Sequence, residues 1–168
     1  NFIAHGTTQA TNALLEGDVA KVGVLGMGTG IDSSTAKSGT HTEDIELAQG
    51  KFLKVYNRFV DSKKLNEALI EQSIEELKSE GAEVIVASEA YSVDDPTNEL
   101  KVIEKANQKE MFATGGHEIS QLYGLKVRTR TAVVNASLIP KMMETANMTE
   151  QAVKDANIQT QLMIMRCD

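Results

Sequence analysis

One helix and one buried strand can be read from residues 63–87, KKLNEALIEQSIEELKSEGAEVIVA. In the first part of this stretch leucine and isoleucine recur at helical spacing, and charged residues occupy the other faces. Gly81 ends the helix pattern, and 84–87 is an apolar run of the length of a buried strand. Asp61 and Ser62 precede the stretch and offer oxygens to cap the helix. The pattern predicts a helix laid on a sheet.

The alternation of strand and helix recurs along the chain. It predicts one α/β region over residues 1–168, with a layered sheet of parallel strands, right-handed crossovers and covering helices. The strands at 22–25, 84–87 and 162–165 are expected in that sheet, with weaker extended segments at 52–56 and 111–114. The first predicted helix is 63–80. A second starts at Asp95-Pro96 and turns Leu100, Ile103 and Ala106 inward, and a short helical turn is expected within 117–122. Two more helices are predicted at 131–146, with a kink at Pro140, and at 149–156, capped by Thr149.

The segment 28–50 contrasts with its surroundings. It is rich in serine, threonine, glycine and acidic residues and has few apolar side chains to bury. Such composition is typical of connecting segments on the surface. We therefore expect 28–50 to be a polar, poorly packed surface loop.

Composition and charge exclude several classes of protein. The 168 residues include 17 basic and 24 acidic ones, a net charge of −7 with no dense basic block, so nucleic acid is not an expected partner. No apolar run approaches the roughly 20 residues that cross a bilayer, and the first residues do not resemble a signal peptide, so we expect a cytoplasmic protein without membrane contact. The single cysteine, Cys167, permits no internal disulfide, and no residues have the spacing of a structural zinc site. The chain begins without methionine, and we expect a fragment of a longer polypeptide.

The strongest candidate for chemistry is the stretch 5–13, HGTTQATNA. It places a glycine and hydroxyl groups between an apolar strand pattern and a helix pattern. A strand-to-helix turn presents unpaired backbone N–H groups and a positive dipole end, which suit a phosphate or carboxylate. Simple helix capping by Thr7 or Thr8 explains the same residues and is common. The candidate binding residues are His5, Gly6, Thr7, Thr8 and Asn12.

Other motifs have plain structural explanations. Gly26, Gly28 and Gly30 do not follow a known nucleotide-binding pattern and indicate a tight turn after a strand. Basic residues at 126, 128 and 130 precede a predicted helix, and such charges usually form a solvated rim. Cys167 has no activating neighbour in sequence and fits a buried thiol.

The chain resembles the hydantoinase A/oxoprolinase family. Residues 5–16 reproduce that family's segment His-Gly-Thr-Thr-x-Ala-Thr-Asn-Ala-Leu-Leu-Glu, and 128–138, RTRTAVVNASL, is similar to its Arg-Thr-x-Thr-x-Val-x-Asn-Ala-x-Leu pattern. Supporting similarities occur in order at 95–99, 117–119 and 163–168. The resemblance therefore spans the whole chain.

This resemblance implies an actin-like ATPase with lobes of ribonuclease-H-like topology. It implies ATP-dependent opening of a cyclic amide such as 5-oxoproline or a hydantoin, with ATP and Mg²⁺ as cofactors. Gly6, Thr7 and Thr8 would lie near the phosphates or the substrate, and Arg128, Thr131 and Asn135 form a possible secondary set. A B-type subunit or domain is the implied partner, and an oligomer is possible.

The resemblance leaves more than one activity open. Relatives include subunits of ATP-dependent ketone carboxylases, and the same scaffold serves reactivating chaperones that use ATP to reshape a partner enzyme. In the family, acidic phosphate loops lie before and after the region that 1–168 resembles. We therefore expect residues 1–168 to lack most of the metal and phosphate ligands and to be inactive in isolation. The sequence assigns the role of catalytic residue to none of them.

Overall fold

The structure, a computed structural model, describes residues 2–6, 8–119, 124–156 and 161–165, with the backbone alone in 2–6 and 161–165. Two short 3₁₀ turns, Gly30–Asp32 and Ser62–Lys64, join the regular elements. The strands are β1 (Phe2–Gly6), β2 (Val22–Gly28), β3 (Ile45–Ala48), β4 (Lys51–Leu53), β5 (Val55–Asp61), β6 (Val84–Glu89), β7 (Phe112–Gly115) and β8 (Gln161–Met165). The helices are α1 (Gln9–Glu16), α2 (Ser33–Thr40), α3 (Glu67–Glu80), α4 (Thr97–Gln108), α5 (Gly116–Ile119) and α6 (Leu125–Asp155).

The centre of the fold is a four-stranded parallel sheet in the order β5-β2-β6-β7. All residues of β2 and β6 are buried, since helices cover both faces of the sheet. Side chains alternate between two cores: Leu25 and Ile85 pack with α3 and α4, whereas Val24 and Val86 pack with α6 and the β3–β4 hairpin. This confirms the predicted α/β class, with a parallel sheet under covering helices.

One strand prediction is correct in position and wrong in pairing. β8 covers the predicted 162–165, yet it forms a separate two-stranded parallel sheet with β1. An apolar run predicts a buried strand, but it does not specify which strand lies beside it. Here the neighbour of β8 is β1.

Three helix predictions need correction. Asn66 caps α3, its Oδ1 accepting from the N–H of Leu69 at 2.9 Å, whereas Asp61 caps the short 3₁₀ turn. α6 runs unbroken through Pro140, and the hydroxyl of Thr149 donates to the carbonyl of Thr145 at 2.8 Å instead of capping a new helix. Leu100 is 48% exposed, because Glu99, Val102 and Ala106 form the buried face of α4.

The prediction of a loop over 28–50 is wrong, because this segment contains α2 and β3. α2 packs on β2 through small residues: a Cβ at Gly28 would lie 2.5 Å from Ala36 Cβ, and one at Gly26 would lie 2.7 Å from Thr40 Cβ. Close approach to glycine lets a helix with little apolar area pack on the sheet. The two glycines therefore lie inside a strand, and only Gly30 of the three has a positive φ, +72°.

Candidate functional site

The predicted binding residues lie at the turn between β1 and α1, which we call the β1–α1 turn (residues 5–12). Thr8 is the N-cap of α1 and is exposed, and its side chain makes no capping hydrogen bond. Asn12 is exposed one turn later, and its N–H donates to the carbonyl of Thr8 at 3.0 Å. His5 and Gly6 are described by backbone alone, and Thr7 lies outside the described residues. The exposed hydroxyl of Thr8 is therefore available to a ligand.

The carboxyl end of β8, the strand that pairs with β1, lies at the same edge as the β1–α1 turn. β1 and β8 are parallel, and Gly6 is in register with Met165. Ligands of parallel sheets bind at the carboxyl ends of strands, where loops leave the sheet. The β1–α1 turn and the carboxyl end of β8 thus share such an edge.

α1 is fixed to α6 by polar contacts. The hydroxyl of Thr145 donates to the side-chain oxygen of Gln9, and Lys141 Nζ lies 2.9 Å from a carboxylate oxygen of Asp18 just after α1. Between the helices and β2, the N–H of Ala20 donates to the carbonyl of Ser137 at 2.9 Å. These contacts hold the turn in one position relative to α6.

The local charge of the turn suits an anion. The first turn of α1 contains no acidic residue, so no carboxylate of the helix competes for its N-terminal N–H groups. The positive end of a helix dipole favours phosphate or carboxylate, and Thr8 and Asn12 add donors beside it. Chemically, the arrangement can bind a negatively charged or strongly polar group.

The possible secondary set is divided by the structure. Arg128 is 2% exposed, so its assignment to a solvated rim is wrong; its Nη2 donates to the carbonyl of Glu89 at 2.9 Å and lies 3.3 Å from Ser92 Oγ. Thr131 and Asn135 are exposed on α6, and the hydroxyl of Thr131 donates back to the carbonyl of Val127. The three residues do not form one group.

A buried polar cluster lies at the carboxyl ends of β6 and β7, and we call it the Glu99 cluster (Glu89, Glu99, His117 and Arg128). Glu99 is fully buried: Oε1 accepts from the N–H of Glu89 at 2.8 Å, and Oε2 lies 3.0 Å from the backbone N and 2.6 Å from Nδ1 of His117. Nearby, the hydroxyls of Ser88 and Thr129 lie 2.7 Å apart.

Two glycines make room for the Glu99 cluster. A Cβ at Gly115 would lie 2.8 Å from Glu99 Oε2, and one at Gly116 would lie 3.3 Å both from Glu99 Oε1 and from Arg128 Nε. The cluster joins the three separate stretches 95–99, 117–119 and 128–138. These three stretches are far apart in sequence and were not expected to meet. Two signals in the sequence could have connected them: a glutamate, Glu99, on the buried face of a helix, and the pair Gly115-Gly116 directly before His117.

The described side chains offer little to a metal ion. Within residues 8–119 and 124–156, no three histidine, cysteine or acidic side chains converge as a set of ligands. In the same part of the chain, no helix is both long and apolar enough to cross a bilayer. The described side chains therefore provide no ready-made set of metal ligands.

Comparisons with known proteins place these features in a family. The hydantoinase/oxoprolinase N-terminal region matches residues 1–110, and the hydantoinase/oxoprolinase family model matches residues 128–168. The caprolactamase subunit alpha of Pseudomonas jessenii is 28% identical over 156 residues, which cover 82% of this chain and 22% of that protein. The crystal structure of the ATP-dependent caprolactamase from the same organism is 24% identical, with a TM-score of 0.66, over 95% of this chain and 26% of that one.

The chain thus spans about a quarter of the length of these relatives. The structural match shows a shared fold. The matched family models together take in the β1–α1 turn and three members of the Glu99 cluster, Glu89, Glu99 and Arg128, whereas His117 lies between the two matched ranges. This chain belongs to the hydantoinase/oxoprolinase family.

Proposed function

We propose that this chain is part of an ATP-dependent enzyme that opens cyclic amides, and that the β1–α1 turn binds the phosphates or the substrate. The observation that carries the proposal is the family segment 5–16 at a strand-to-helix turn with exposed Thr8 and Asn12. A relative named as an ATP-dependent caprolactamase supports the reaction class, since caprolactam is a cyclic amide.

The chemistry explains why such an enzyme needs ATP. An amide resists attack by water because resonance delocalises its nitrogen lone pair into the carbonyl. When bound, ATP would supply a phosphoryl group to the amide oxygen, which makes the carbonyl carbon more electrophilic so that water can add there and the C–N bond of the ring can break. The chain's own contribution is to hold negative charge: the N–H groups at the start of α1 and the hydroxyl of Thr8 donate to a charged oxygen.

A partner subunit is part of the proposal. The similar caprolactamase protein is named as an alpha subunit, which supports assembly of this chain's full-length protein with a second, B-type subunit. Co-expression of the full-length protein with a B-type subunit, followed by size-exclusion chromatography, tests this. Separate elution of the two proteins would contradict it.

The activity is tested on the full-length protein with its partner. Purified enzyme is incubated with ATP and with caprolactam, 5-oxoproline or hydantoin, while ADP release and the ring-opened acid are measured together. We expect one cyclic amide to stimulate ADP release and to be converted to its linear acid. ADP release without ring opening would contradict the proposal, and incorporation of labelled bicarbonate into a ketone would instead indicate the carboxylase activity. Stimulation only by a partner enzyme would indicate a chaperone.

A further inference from the structure

A cavity of about 570 Å³ lies between α2, the segment that follows it and the start of α6. Its lining includes the cations Lys37, Lys126 and Arg130 and the hydroxyls of Ser34 and Ser38, with Glu43 as its one carboxylate. We propose that this cavity, here called the α2–α6 cavity, binds a phosphate group of a small molecule. The lining shares no residue with the β1–α1 turn, so the proposal stands apart from the proposed function.

The packing of the helices forms the α2–α6 cavity in advance. A Cβ at Gly39 would lie 2.8 Å from Leu125 Cδ2, so the glycine permits α2 to approach the first residue of α6 closely. On its other side α2 is seated on β2 through Ala36, which is 2% exposed. Two anchored helices therefore present Lys37 beside Lys126 and Arg130, and no large rearrangement is needed to bring the three cations together.

The cations of the cavity lack carboxylate partners. Within the described part of the chain, no carboxylate lies at ion-pair distance from Lys37, Lys126 or Arg130. The same holds for exposed lysines elsewhere, such as Lys63, Lys64 and Lys78, but those do not line one cavity together. The protein as a whole has a net charge of −7, so acidic residues are plentiful. Three like charges around one cavity repel one another, and a bound anion relieves that repulsion.

The start of α6 adds a second reason for an anion. α6 has no acidic residue in its first turn, and Lys126 lies there. A cation at a helix N-terminus opposes the helix dipole, whereas an anion there is stabilised by it. The lysine is thus in an unfavourable position unless negative charge is bound beside it.

The lining favours phosphate over carboxylate. A phosphate has three or more acceptor oxygens in a tetrahedral arrangement and can accept from three cations and neighbouring hydroxyls at once, whereas a carboxylate has two oxygens. The volume lies within the range of roughly 300–1,000 Å³ that ligand pockets occupy. There is room for a phosphate ester as well as for inorganic phosphate, and the experiment distinguishes these two sources.

The test measures phosphate binding to the full-length protein by isothermal titration calorimetry, with inorganic phosphate and with glycerol phosphate as separate probes. The cavity variant is Lys37→Gln/Lys126→Gln/Arg130→Gln. The matched control, Lys63→Gln/Lys64→Gln/Lys78→Gln, removes the same charge from exposed positions outside the α2–α6 cavity. Circular dichroism and thermal melts verify that both variants are folded.

We expect one of the probes to bind, more weakly as sodium chloride is added, and the cavity variant to weaken it by about tenfold or more while the control does not. Tighter binding of glycerol phosphate would identify an ester as the ligand, and tighter binding of phosphate the free ion. Equal binding by both variants and the unaltered protein, equal losses in both variants, or no binding of either probe would overturn the proposal. None of these results depends on cyclic-amide turnover, so the two proposals fail separately.

Discussion

His117 Nδ1 lies 2.6 Å from Oε2 of Glu99, a carboxylate that is fully buried on α4. The same oxygen lies 3.0 Å from the backbone N of His117, and Oε1 accepts from the N–H of Glu89. One side chain thus satisfies donors at the ends of two adjacent strands, β6 and β7. Buried donors must be paired, so the position of both strand ends depends on Glu99.

Replacing Glu99 by alanine should destabilise the protein strongly. The change leaves the buried N–H of Glu89, the partly buried N–H of His117 and the ring of His117 without their acceptor, and we expect a loss of about 3 kcal/mol in the free energy of unfolding. Urea denaturation measures it. Glu104→Ala is the control, because Glu104 is exposed on the same helix and accepts a hydrogen bond from Gln108 at the surface. Similar losses in the two variants would show that the buried contacts of Glu99 contribute little.

Gly28→Ala should destabilise the contact between α2 and β2. The added Cβ would lie 2.5 Å from Ala36 Cβ, and overpacking of this kind typically costs about 1–3 kcal/mol. Adding Ala36→Gly to the same chain removes the clash, so the double variant should be more stable than the sum of the two single changes predicts. Urea unfolding of all four proteins measures this coupling. Strict additivity would mean that the two positions do not press on each other.

Asp44→Asn should lower stability at neutral pH and have less effect in acid. The hydrogen bond from Lys54, with a further one from the N–H of Val55, holds the pKa of Asp44 below its usual value. A lowered pKa in the folded state stabilises the protein above the unfolded-state pKa, and this contribution is lost as the pH falls through the folded-state value. The pair is near the surface, so the effect should be small.

The pH dependence is measured by urea denaturation of both proteins at about pH 7 and about pH 3. The stability difference between the unaltered protein and Asp44→Asn should shrink at the lower pH. Glu16→Gln, at an exposed position outside the α2–α6 cavity, serves as the control. A difference that stays constant or grows in acid would contradict the assignment to this ion pair.

Thr8→Ala should lower turnover of the intact enzyme more than its stability. Thr8 is exposed and its hydroxyl makes no capping hydrogen bond, so its loss should leave the melting temperature nearly unchanged. If the hydroxyl donates to a reacting or transferred group, kcat should fall by about tenfold or more. Thr7→Ala is expected to act in the same way. Thr35→Ala, an exposed threonine outside the β1–α1 turn, should change neither quantity; a large drop in melting temperature with normal kcat would make Thr8 a structural residue only.

The central strands could be predicted from sequence because each is buried on both faces. The apolar runs at 22–25 and 84–87 need no knowledge of their neighbours to be recognised. α2 could not be predicted in this way, because its packing depends on the distance of approach and not on apolar area. Ala36 and Thr40 look unremarkable until Gly26 and Gly28 are known to lie beneath them.

The candidate site was only partly predictable for a similar reason. The segment 5–16 is contiguous, so its turn could be predicted before the fold was known. Glu99, His117 and Arg128 come together only because β6 and β7 are adjacent in the sheet and α6 crosses β6. Arginine is usually exposed, so the burial of Arg128 contradicts an expectation based on residue type.

The pairing of β1 with β8 has a consequence for the order in which the protein folds. β1 is synthesised near the start of this chain, but its partner strand follows the entire central sheet and α6. Such a contact closes a very long loop, and the entropy of closing it is offset most readily once the intervening sheet is already compact. During synthesis the pairing of β1 with β8 should therefore form only after the central sheet, so the edge that carries the β1–α1 turn is completed late.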